Sequence, residues 1–262
     1  MITSPANIKV KQVVQWQTKA RERRRDGVFL AEGIKMFEEA PPEMIREVYI
    51  IEEIRSRLAP GVLKKLEQTG SYTVTEEVFR KMSDTRTPQG ILTVLTQPKY
   101  RLEELLQVEK PLFILLEDLQ DPGNLGTILR TGEGAGVTGV IMTSGTVDIF
   151  NPKTIRATMG SIYRVPFLYA EDLQEVIKSL HNAGIKTYAA HLQGQNFYDH
   201  FSFGEGTAFL IGNEGNGLKA QTAEAASACV KIPMEGRVES LNAAVSSALL
   251  MYEAHRQRSA GR

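Results

Sequence analysis

The chain of 262 residues has little of several residue types on which common functions depend. Its one cysteine, Cys229, excludes a disulfide bond within the chain. Its four histidines lie at no metal-ligand spacing from each other or from Cys229, so we expect no metal. There is no run of eighteen apolar residues and no signal-peptide pattern. We therefore expect a cytoplasmic protein that neither enters a membrane nor is secreted.

The chain also lacks any excess of charge of one sign, because 31 basic residues balance 31 acidic ones. This balance argues against general electrostatic wrapping of nucleic acid, but it leaves room for a local basic surface. The basic segment, residues 9–25, contains seven Lys and Arg residues and only one acid, Glu22. Such a segment can neutralise RNA phosphates, although a solvated helix face explains it equally well. The predicted RNA contacts are Lys19, Arg21, Arg23, Arg24 and Arg25.

The pattern of elements divides the chain in two, and its length is sufficient for two modest domains. Residues 1–97 mix short helical and strand-like segments, which predicts a small α/β domain. Residues 98–110 are charged and flanked by prolines, which indicates a linker with a short helix. Residues 111–262 alternate regularly between strands and helices. This alternation predicts an α/β fold with a mainly parallel sheet and helices on both faces.

Helix and strand signals give provisional bounds for these elements. In the first part we predict a helix over 4–25 (capped by Ser4), a second helix that ends near 40, and further helices over 62–68 and 76–82. The strands predicted there cover 46–51, 72–74 and 90–95. In the second part we predict strands over 112–116, 139–143, 165–169, 185–190, 208–212 and 230–232. The accompanying helices begin near 124 and 151 and cover 171–183, 220–226 and 240–255.

The segment from Ile232 to Leu250 combines an apolar strand end, a polar loop and a helix rich in small residues. Ser240 and Asn242 are placed to open that helix, since both residue types are strong N-caps. A helix N-terminus carries partial positive charge and free N–H donors, which suit a polar or anionic ligand group. Taken alone, the segment fits a capped C-terminal helix equally well.

Two other segments place polar residues directly after predicted strands, where ligands bind in open α/β sheets. Asn124 follows the strand over 112–116, and Arg130 lies six residues later among small residues. Gly212-Asn-Glu-Gly-Asn-Gly217 follows another strand but lacks the Gly-Lys-Ser/Thr of a Walker phosphate loop. The glycines of 132–136 follow a helix rather than a strand, which argues against a nicotinamide-dependent oxidoreductase.

In order and spacing these three segments resemble the signature motifs of the SpoU family of S-adenosylmethionine-dependent RNA ribose 2′-O-methyltransferases, of the SPOUT class. They read Asp-Pro-Gly-Asn-Leu-Gly with Arg130 six residues after the Asn, then Gly-Asn-Glu-Gly-x-Gly-Leu, then Ile-Pro-Met and Ser-Leu-Asn. The resemblance implies a C-terminal trefoil-knotted domain with S-adenosylmethionine as its cofactor. The first hundred residues are similar to the L30e-like substrate-binding domain often fused in front. The best points of that similarity are Lys19-x-Arg21, Phe29-x-x-Glu32-Gly33 and Thr87-Pro-Gln-Gly90.

The resemblance also implies roles for individual residues. The implied catalytic residues are Asn124, Arg130, Glu214, Ser240 and Asn242. It implies cofactor contacts by Gly212, Ile232 and Leu241, to which we add the apolar Met234 and the strand-end residues Ala190, His191 and Leu192. Family members are often held to use the Arg as the base, but guanidinium normally stays protonated, which favours a positioning role.

These observations predict an enzyme that methylates a ribose 2′-hydroxyl of rRNA or tRNA. The resemblance implies a homodimer, with Leu241, Val245, Leu249 and Tyr252 of the final helix as a plausible interface. That stripe could instead pack only on its own sheet. Two other functions remain open: an RNA-binding protein or chaperone with a degenerate cofactor site, and an RNA base methyltransferase.

Overall fold

The computed structural model describes residues 1–192, 194, 196–238 and 240–259 of the chain. By their internal contacts these residues form two compact units. The first unit contains Met1–Pro98 and Asp148–Tyr163, and the second contains Lys99–Val147 and Arg164–Arg262. Residues 148–163 thus pack with the first unit, although they lie inside the sequence range predicted for the catalytic domain. The domain boundaries at 97 and 111 stay a prediction.

The first unit is a four-stranded sheet with helices packed against it. Its strands are β1 (Val28–Glu32), β2 (Ile45–Ile51), β3 (Tyr72–Val74) and β4 (Ile91–Thr96). Its helices from the N-terminal stretch are α1 (Ile8–Thr18), α2 (Ala20–Asp26), α3 (Ile34–Glu39), α4 (Glu52–Arg55), α5 (Pro60–Thr69) and α6 (Glu76–Met82). The strand order is β1-β4-β2-β3, antiparallel except between β2 and β3. The sequence analysis does not predict β1, whose five residues lead from the first predicted helix into the second.

The long helix predicted over 4–25 is wrong in two respects, the first of which is that the chain breaks it at Lys19. Lys19 has extended dihedrals, φ −124° and ψ 110°, between α1 and α2. The first helix also begins later than predicted, with the side chain of Asn7 rather than Ser4 accepting the N–H of Lys9 as its cap. The break lets Arg23 turn inward and donate to the carbonyl of Trp16, at the end of α1, across 2.7 Å.

The second unit is built on seven parallel strands. They are β5 (Leu112–Leu116), β6 (Gly139–Thr143), β7 (Phe167–Ala170), β8 (Lys186–Ala190), β9 (Asn196–Phe197), β10 (Thr207–Ile211) and β11 (Ala228–Lys231). Its helices are α7 (Leu102–Leu105), α8 (Pro122–Ala135), α10 (Leu173–Asn182), α11 (Ala220–Ala225) and α12 (Ala243–Ser259), while α9 (Pro152–Thr158) lies in the first unit. The strand order is β7-β6-β5-β10-β8-β11-β9, and every recorded pairing is parallel.

Alternate residues of the central strands are buried against the helices on one face of the sheet and form a core of this unit. Leu115 and Leu210 lie in one buried cluster with Ile177 and Leu180 of α10. The pleat turns the intervening residues, such as Ile114 and Phe209, to the opposite face. There α12 packs against α8 and β10. The predicted α/β class with a mainly parallel sheet is confirmed, whereas the trefoil knot stays a prediction.

Parallel strands bring their carboxyl ends to one edge of the sheet. β8, β10 and β11 are neighbours in the sheet and end at Ala190, Ile211 and Lys231. The polar segments singled out in the sequence follow β5, β10 and β11, so the topology collects them at this edge. Of the described helices, none is long and apolar enough to cross a membrane.

Candidate active site

A cavity of about 390 Å³ opens at the carboxyl ends of β8, β10 and β11. This volume is within the usual range for small-molecule and cofactor sites. The cavity combines apolar side chains with the polar backbone of the glycine-rich loop after β10. All seven predicted cofactor contacts line it: Ala190, His191, Leu192, Gly212, Ile232, Met234 and Leu241.

The glycine-rich loop, residues 212–217, folds back on itself to form one wall of the cavity. Asn213 and Gly217 exchange backbone hydrogen bonds of 3.0 and 2.9 Å, and the Asn213 side chain accepts the N–H groups of Gly215 and Asn216. A Cβ at Gly212 would overlap the carbonyl carbon of Gly217. Glycine is therefore required at 212 for a close approach of two backbone segments, and only backbone atoms of this residue can face the cavity.

Glu214, at the tip of the glycine-rich loop, ties that loop to the segment after β5. Its Oε2 accepts the N–H of Gln120 at 3.0 Å, and its Oε1 accepts the N–H of Asp121 at 2.9 Å. The Asn124 side-chain amide donates to the same Oε1 at 3.0 Å. One carboxylate thus fixes the position of residues ninety or more places earlier in the chain.

These hydrogen bonds also control the charge of Glu214. Burial of the carboxyl would by itself raise its pKa, but the donated N–H groups of Gln120 and Asp121 and the Asn124 amide lower it further than burial raises it. The net effect holds the pKa of Glu214 below its ordinary value of 4.5. The group is therefore a stable anion at neutral pH and a weak base.

Asn242 joins the same network from the third motif. Its Nδ2 donates to Oδ1 of Asn124 across 2.9 Å. Its own Oδ1 accepts the N–H groups of Ala244 and Val245, so Asn242 is the N-cap of α12. The expectation that Ser240 opens this helix is wrong, because α12 begins at Ala243. Ser240 instead lines the cavity, two residues before the cap.

The N-cap of α8 lies three residues before Asn124, near which the sequence predicts that this helix begins. Asp121 is the N-cap, since its Oδ1 accepts the N–H of Asn124 at 2.8 Å. The Asn124 side chain is thereby left to bridge Glu214 and Asn242. Glu214, Asn124 and Asn242 form one hydrogen-bonded row, which we call the Glu-Asn-Asn row.

Sequence reasoning missed Asp118, the junction that holds three strand-end loops together. Its carbonyl accepts from the side chain of Asn213 at 2.8 Å, and its Oδ1 accepts from the hydroxyl of Thr143 at 2.8 Å. The Lys219 ammonium lies 2.7 Å from its Oδ2, and this contact and the Thr143 bond lower the pKa of Asp118. Its position just after a buried strand was the available signal. No signal in the sequence indicated that Asp118 adopts a left-handed φ of 54°.

Arg130 does not join the Glu-Asn-Asn row. It lies six residues after Asn124 on α8, about 9 Å along the helix axis. The side chain is exposed, and within the described part of the chain it forms no ion pair or hydrogen bond. The structure thus brings together Asn124, Glu214 and Asn242, of which Glu214 lines the cavity together with Ser240. It leaves Arg130 on the surface of α8.

The basic segment separates into exposed and buried members. Lys19, Arg21 and Arg24 are exposed, and Arg25 is exposed but pairs with Glu22 and Asp26. Arg23 is only 3% exposed, and its guanidinium pairs with Asp148 at 2.6 Å. The prediction of Arg23 as a surface RNA contact is corrected accordingly: its side chain holds α1, α2 and the 148–163 segment of the first unit together.

The described ranges contain no candidate metal site. No group of three or more His, Cys, Asp or Glu side chains there could hold a metal ion. The expectation of a metal-free site stays a prediction.

Two family models match the chain. The SpoU rRNA Methylase family matches residues 111–252, and the MRM3-like substrate binding domain matches residues 7–93. The first match contains every residue of the cavity and of the Glu-Asn-Asn row named above. The second covers the basic segment from Lys9 onward.

Full-length relatives and solved structures agree with these models. The 23S rRNA (guanosine(2553)-2′-O)-methyltransferase RlmP of Bacillus subtilis is 35% identical, with 96% of this chain and 97% of that protein aligned. The AdoMet-bound rRNA methyltransferase of Sinorhizobium meliloti is 30% identical, with a TM-score of 0.86 and 97% of both chains covered. The AdoMet complex of the SpoU methyltransferase AviRb from Streptomyces viridochromogenes is 26% identical, with a TM-score of 0.87, covering 98% of this chain and 100% of that one.

Proposed function

The chain belongs to the SpoU rRNA methylase family, and we propose that its Glu-Asn-Asn row and cavity together form the methyl-transfer site. It is an S-adenosylmethionine-dependent RNA ribose 2′-O-methyltransferase. The observation that carries the site assignment is that the second and third motifs line one cavity at the carboxyl ends of β8, β10 and β11, and that Asn124 of the first motif is hydrogen-bonded to both of them through Glu214 and Asn242.

The cavity fits the cofactor on the chemistry of its lining. Ile232, Met234 and Leu241 offer apolar surface for an adenine ring, and the backbone of the glycine-rich loop lies along the same cavity. When bound, S-adenosylmethionine supplies an activated methyl group for in-line attack by a ribose oxygen. The residues of the chain bind, orient and exclude water around that step.

Among the catalytic residues we assign different tasks by their contacts. Glu214 is an anchor for the loop after β5 rather than the proton acceptor, because its pKa is lowered and its oxygens already accept three hydrogen bonds. Asn124, Asn242 and the Ser240 hydroxyl line up near the cavity to orient the ribose. Arg130 grips the neighbouring phosphate with its planar donors.

We also propose that two copies of the chain pair through α12 and α8. Val245, Leu249 and Tyr252 leave 48%, 39% and 48% of their surface exposed along one face of α12. With Asn124 and Thr127 of α8 they line a groove of about 460 Å³. Leu241 is not part of this stripe, since it precedes α12 and lines the cofactor cavity. Exposed Arg130 on α8 would then lie close to the subunit interface, where residues of a second copy can contact its side chain.

The substrate we propose is ribosomal RNA rather than transfer RNA. The similarity to a 23S rRNA guanosine 2′-O-methyltransferase over nearly the full length of both chains supports it. The exposed Lys19, Arg21 and Arg24 supply phosphate contacts in the first unit. An enzyme acting on ribosomal RNA of this kind works in the cytoplasm.

Methyl transfer from radiolabelled S-adenosylmethionine to unmodified 23S rRNA and to bulk tRNA tests this proposal. We expect label in 23S rRNA, recovered as a dinucleotide that resists alkali because the 2′-oxygen is blocked. Label recovered in mononucleotides after alkali treatment would favour a base methyltransferase. Label in tRNA alone would overturn the rRNA assignment. Calorimetry that detects no binding of S-adenosylmethionine would favour the RNA-binding alternative.

A further inference from the structure

One buried carboxylate of the second unit, Glu117, has no task in the methyl-transfer site as assigned above. Glu117 follows β5 directly and is only 3% exposed. It does not belong to the lining of the cofactor cavity. A charged side chain is rarely buried to this extent unless it is paired or hydrogen-bonded, so its partners indicate what it holds in place.

The partners of Glu117 lie at both ends of the glycine-rich loop. Its backbone N–H donates to the carbonyl of Ile211 at 2.9 Å, where β10 ends and the loop begins. Its side-chain Oε2 accepts the N–H of Lys219 at 2.8 Å, two residues after the loop. A single residue at the end of the neighbouring strand therefore connects the entry and the exit of this loop.

The second carboxylate oxygen fastens the helix that follows the loop. Oε1 of Glu117 accepts the hydroxyl of Thr222 in α11 at 2.7 Å, and Thr222 is fully buried. The N-cap residue of α11 is Lys219, whose side chain has no acceptor for the helix N–H groups. Both oxygens of Glu117 are thus committed to the start of α11, and the Lys219 ammonium, 3.8 Å from Oε1, adds a countercharge.

The Glu117 carboxylate extends the support of the glycine-rich loop past the end of that loop. The first half of the loop has other contacts, since Asn213 donates to a backbone carbonyl after β5 at 2.8 Å and Glu214 accepts from the same segment. Glu117 adds the backbone of Lys219. Leu218, the residue before Lys219, lines the cofactor cavity. The position of this cavity wall therefore depends on the bond that Glu117 accepts.

We propose that Glu117 is a positioning residue for S-adenosylmethionine, which sets the affinity for the cofactor by holding both ends of the glycine-rich loop without touching the cofactor. Because Gly212 presents only backbone atoms, the loop cannot compensate there for a displacement by a change of rotamer. When the exit is released, the apparent affinity is reduced to the fraction of molecules that keep the binding conformation. The inference rests on the proposed function, because it takes the cavity at the strand ends as the cofactor site.

Calorimetric titration of the full chain with S-adenosylmethionine tests the proposal in the wild type, Glu117→Ala and Glu117→Gln. Alanine leaves the Lys219 N–H and the Thr222 hydroxyl without their acceptor. We expect Kd to rise about tenfold, as for a loop that keeps its binding conformation in about one molecule in ten. Glutamine offers one oxygen to the N–H and one amide donor to the Thr222 oxygen, so Kd should return to within about threefold of the wild type. Equal affinities in the wild type and a folded Glu117→Ala variant would overturn the assignment.

A control variant separates positioning from a general loss of stability. Thr187 is also fully buried, and its hydroxyl oxygen accepts the N–H of Ser227 at 3.0 Å near the amino end of β8, away from the loop. Thr187→Ala should lower the melting temperature without changing Kd. In Glu117→Ala, KM for S-adenosylmethionine should rise with Kd, while the rate at saturating cofactor stays within about twofold of the wild type. Equal weakening of cofactor binding in both variants, or a loss confined to kcat, would refute the positioning role.

A measurement on the wild type covers the case in which Glu117→Ala does not fold. Amide hydrogen exchange of the free chain should show the Lys219 N–H as strongly protected as the N–H groups of β10, because Glu117 accepts it. The N–H groups of Gly215 and Asn216, which bond the Asn213 side chain within the loop, should exchange faster. Exchange of Lys219 as fast as that of Gly215 would count against the proposal. A wild-type chain that does not bind S-adenosylmethionine would instead contradict the proposed function.

Discussion

Nδ2 of Asn242 donates a hydrogen bond to Oδ1 of Asn124 across 2.9 Å, although 118 positions separate the two residues. The Nδ2 of Asn124 donates to Oε1 of Glu214 at 3.0 Å. A single side chain thereby connects the glycine-rich loop after β10 with the cap of the last helix. Changes at Asn124 should therefore affect the geometry of the site more than the stability of the fold.

Asn124→Ala removes both of these hydrogen bonds. We expect methyl transfer in single turnover to fall about 100-fold, because small displacements of positioning groups have effects of that size. Affinity for S-adenosylmethionine, measured by calorimetry, should change little. Asn182→Ala is the control, since Asn182 is exposed at the end of α10 and should leave the rate unchanged. A normal rate in Asn124→Ala would refute the role of the row.

Glu214 should make the stability of the site depend on pH in the acid range. Its folded-state pKa is lowered, so its contribution is fully present above the ordinary value of 4.5 and is lost as pH falls through the folded value. The difference in melting temperature between wild type and Glu214→Gln should be constant near neutrality and shrink below about pH 4.5. A difference that grows on acidification would contradict the lowered pKa.

Arg130→Ala should separate catalysis from stability. The side chain is exposed and lacks a partner within the described residues, so the free energy of unfolding should change by less than about 0.5 kcal/mol. Turnover should be lost almost entirely. Arg130→Lys keeps the charge but loses the planar fork, and we expect it to restore little activity. Activity close to wild type in either variant would exclude Arg130 from the proposed role.

Arg23 and Arg24 are neighbours in sequence but should respond to substitution in opposite ways. Arg23→Ala breaks a buried pair with Asp148 and should destabilise the protein by about 3 kcal/mol in urea denaturation. Arg24→Ala should leave stability unchanged and reduce the salt slope of RNA binding by about one. Similar effects of the two variants on stability would show that the burial of Arg23 is unimportant.

Leu249→Asp should test the pairing of two chains through α12. A charge in the centre of the exposed stripe is costly if a second copy covers it and nearly neutral if water does. Sedimentation should show a dimer for the wild type and a monomer for the variant, with reduced methyl transfer in the monomer. Arg256→Ala is the control, because it changes an exposed residue of the same helix and removes only the ion pair with Glu253. A monomeric wild-type chain would remove the dimer from the proposal.

The local elements were largely accessible from the sequence because short-range signals determine them. The strand β5 and the helix α6 occur at the predicted residues, Leu112–Leu116 and Glu76–Met82. The strand β1 was missed because its five residues lie between two helix signals, and the strand is established by pairing with β4, whose residues are sixty or more positions away. The break at Lys19 was missed because it is stabilised by Arg23, whose inward position no local pattern indicates.

The candidate site was predictable as a set of residues but not as an arrangement. The resemblance of the three motifs to those of the SpoU family implied Asn124, Glu214 and Asn242, and the strand ends suggested the cavity wall. The sequence did not show that Asp121 rather than Asn124 caps α8, or that Asp118 links three loops through a left-handed backbone. Nor did it show that Arg130 would lie apart from the row.

By itself the sequence determined which segments are helical or extended, because periodicity and caps act over a few neighbouring positions, and the resemblance of its three motifs implied the candidate site residues. Only the tertiary structure decided which polar side chains share hydrogen bonds, which arginine is buried and where the cavity at the strand ends opens. The Glu-Asn-Asn row and the Arg23–Asp148 pair depend on contacts between segments ninety or more residues apart, and no local signal in the sequence specifies such contacts.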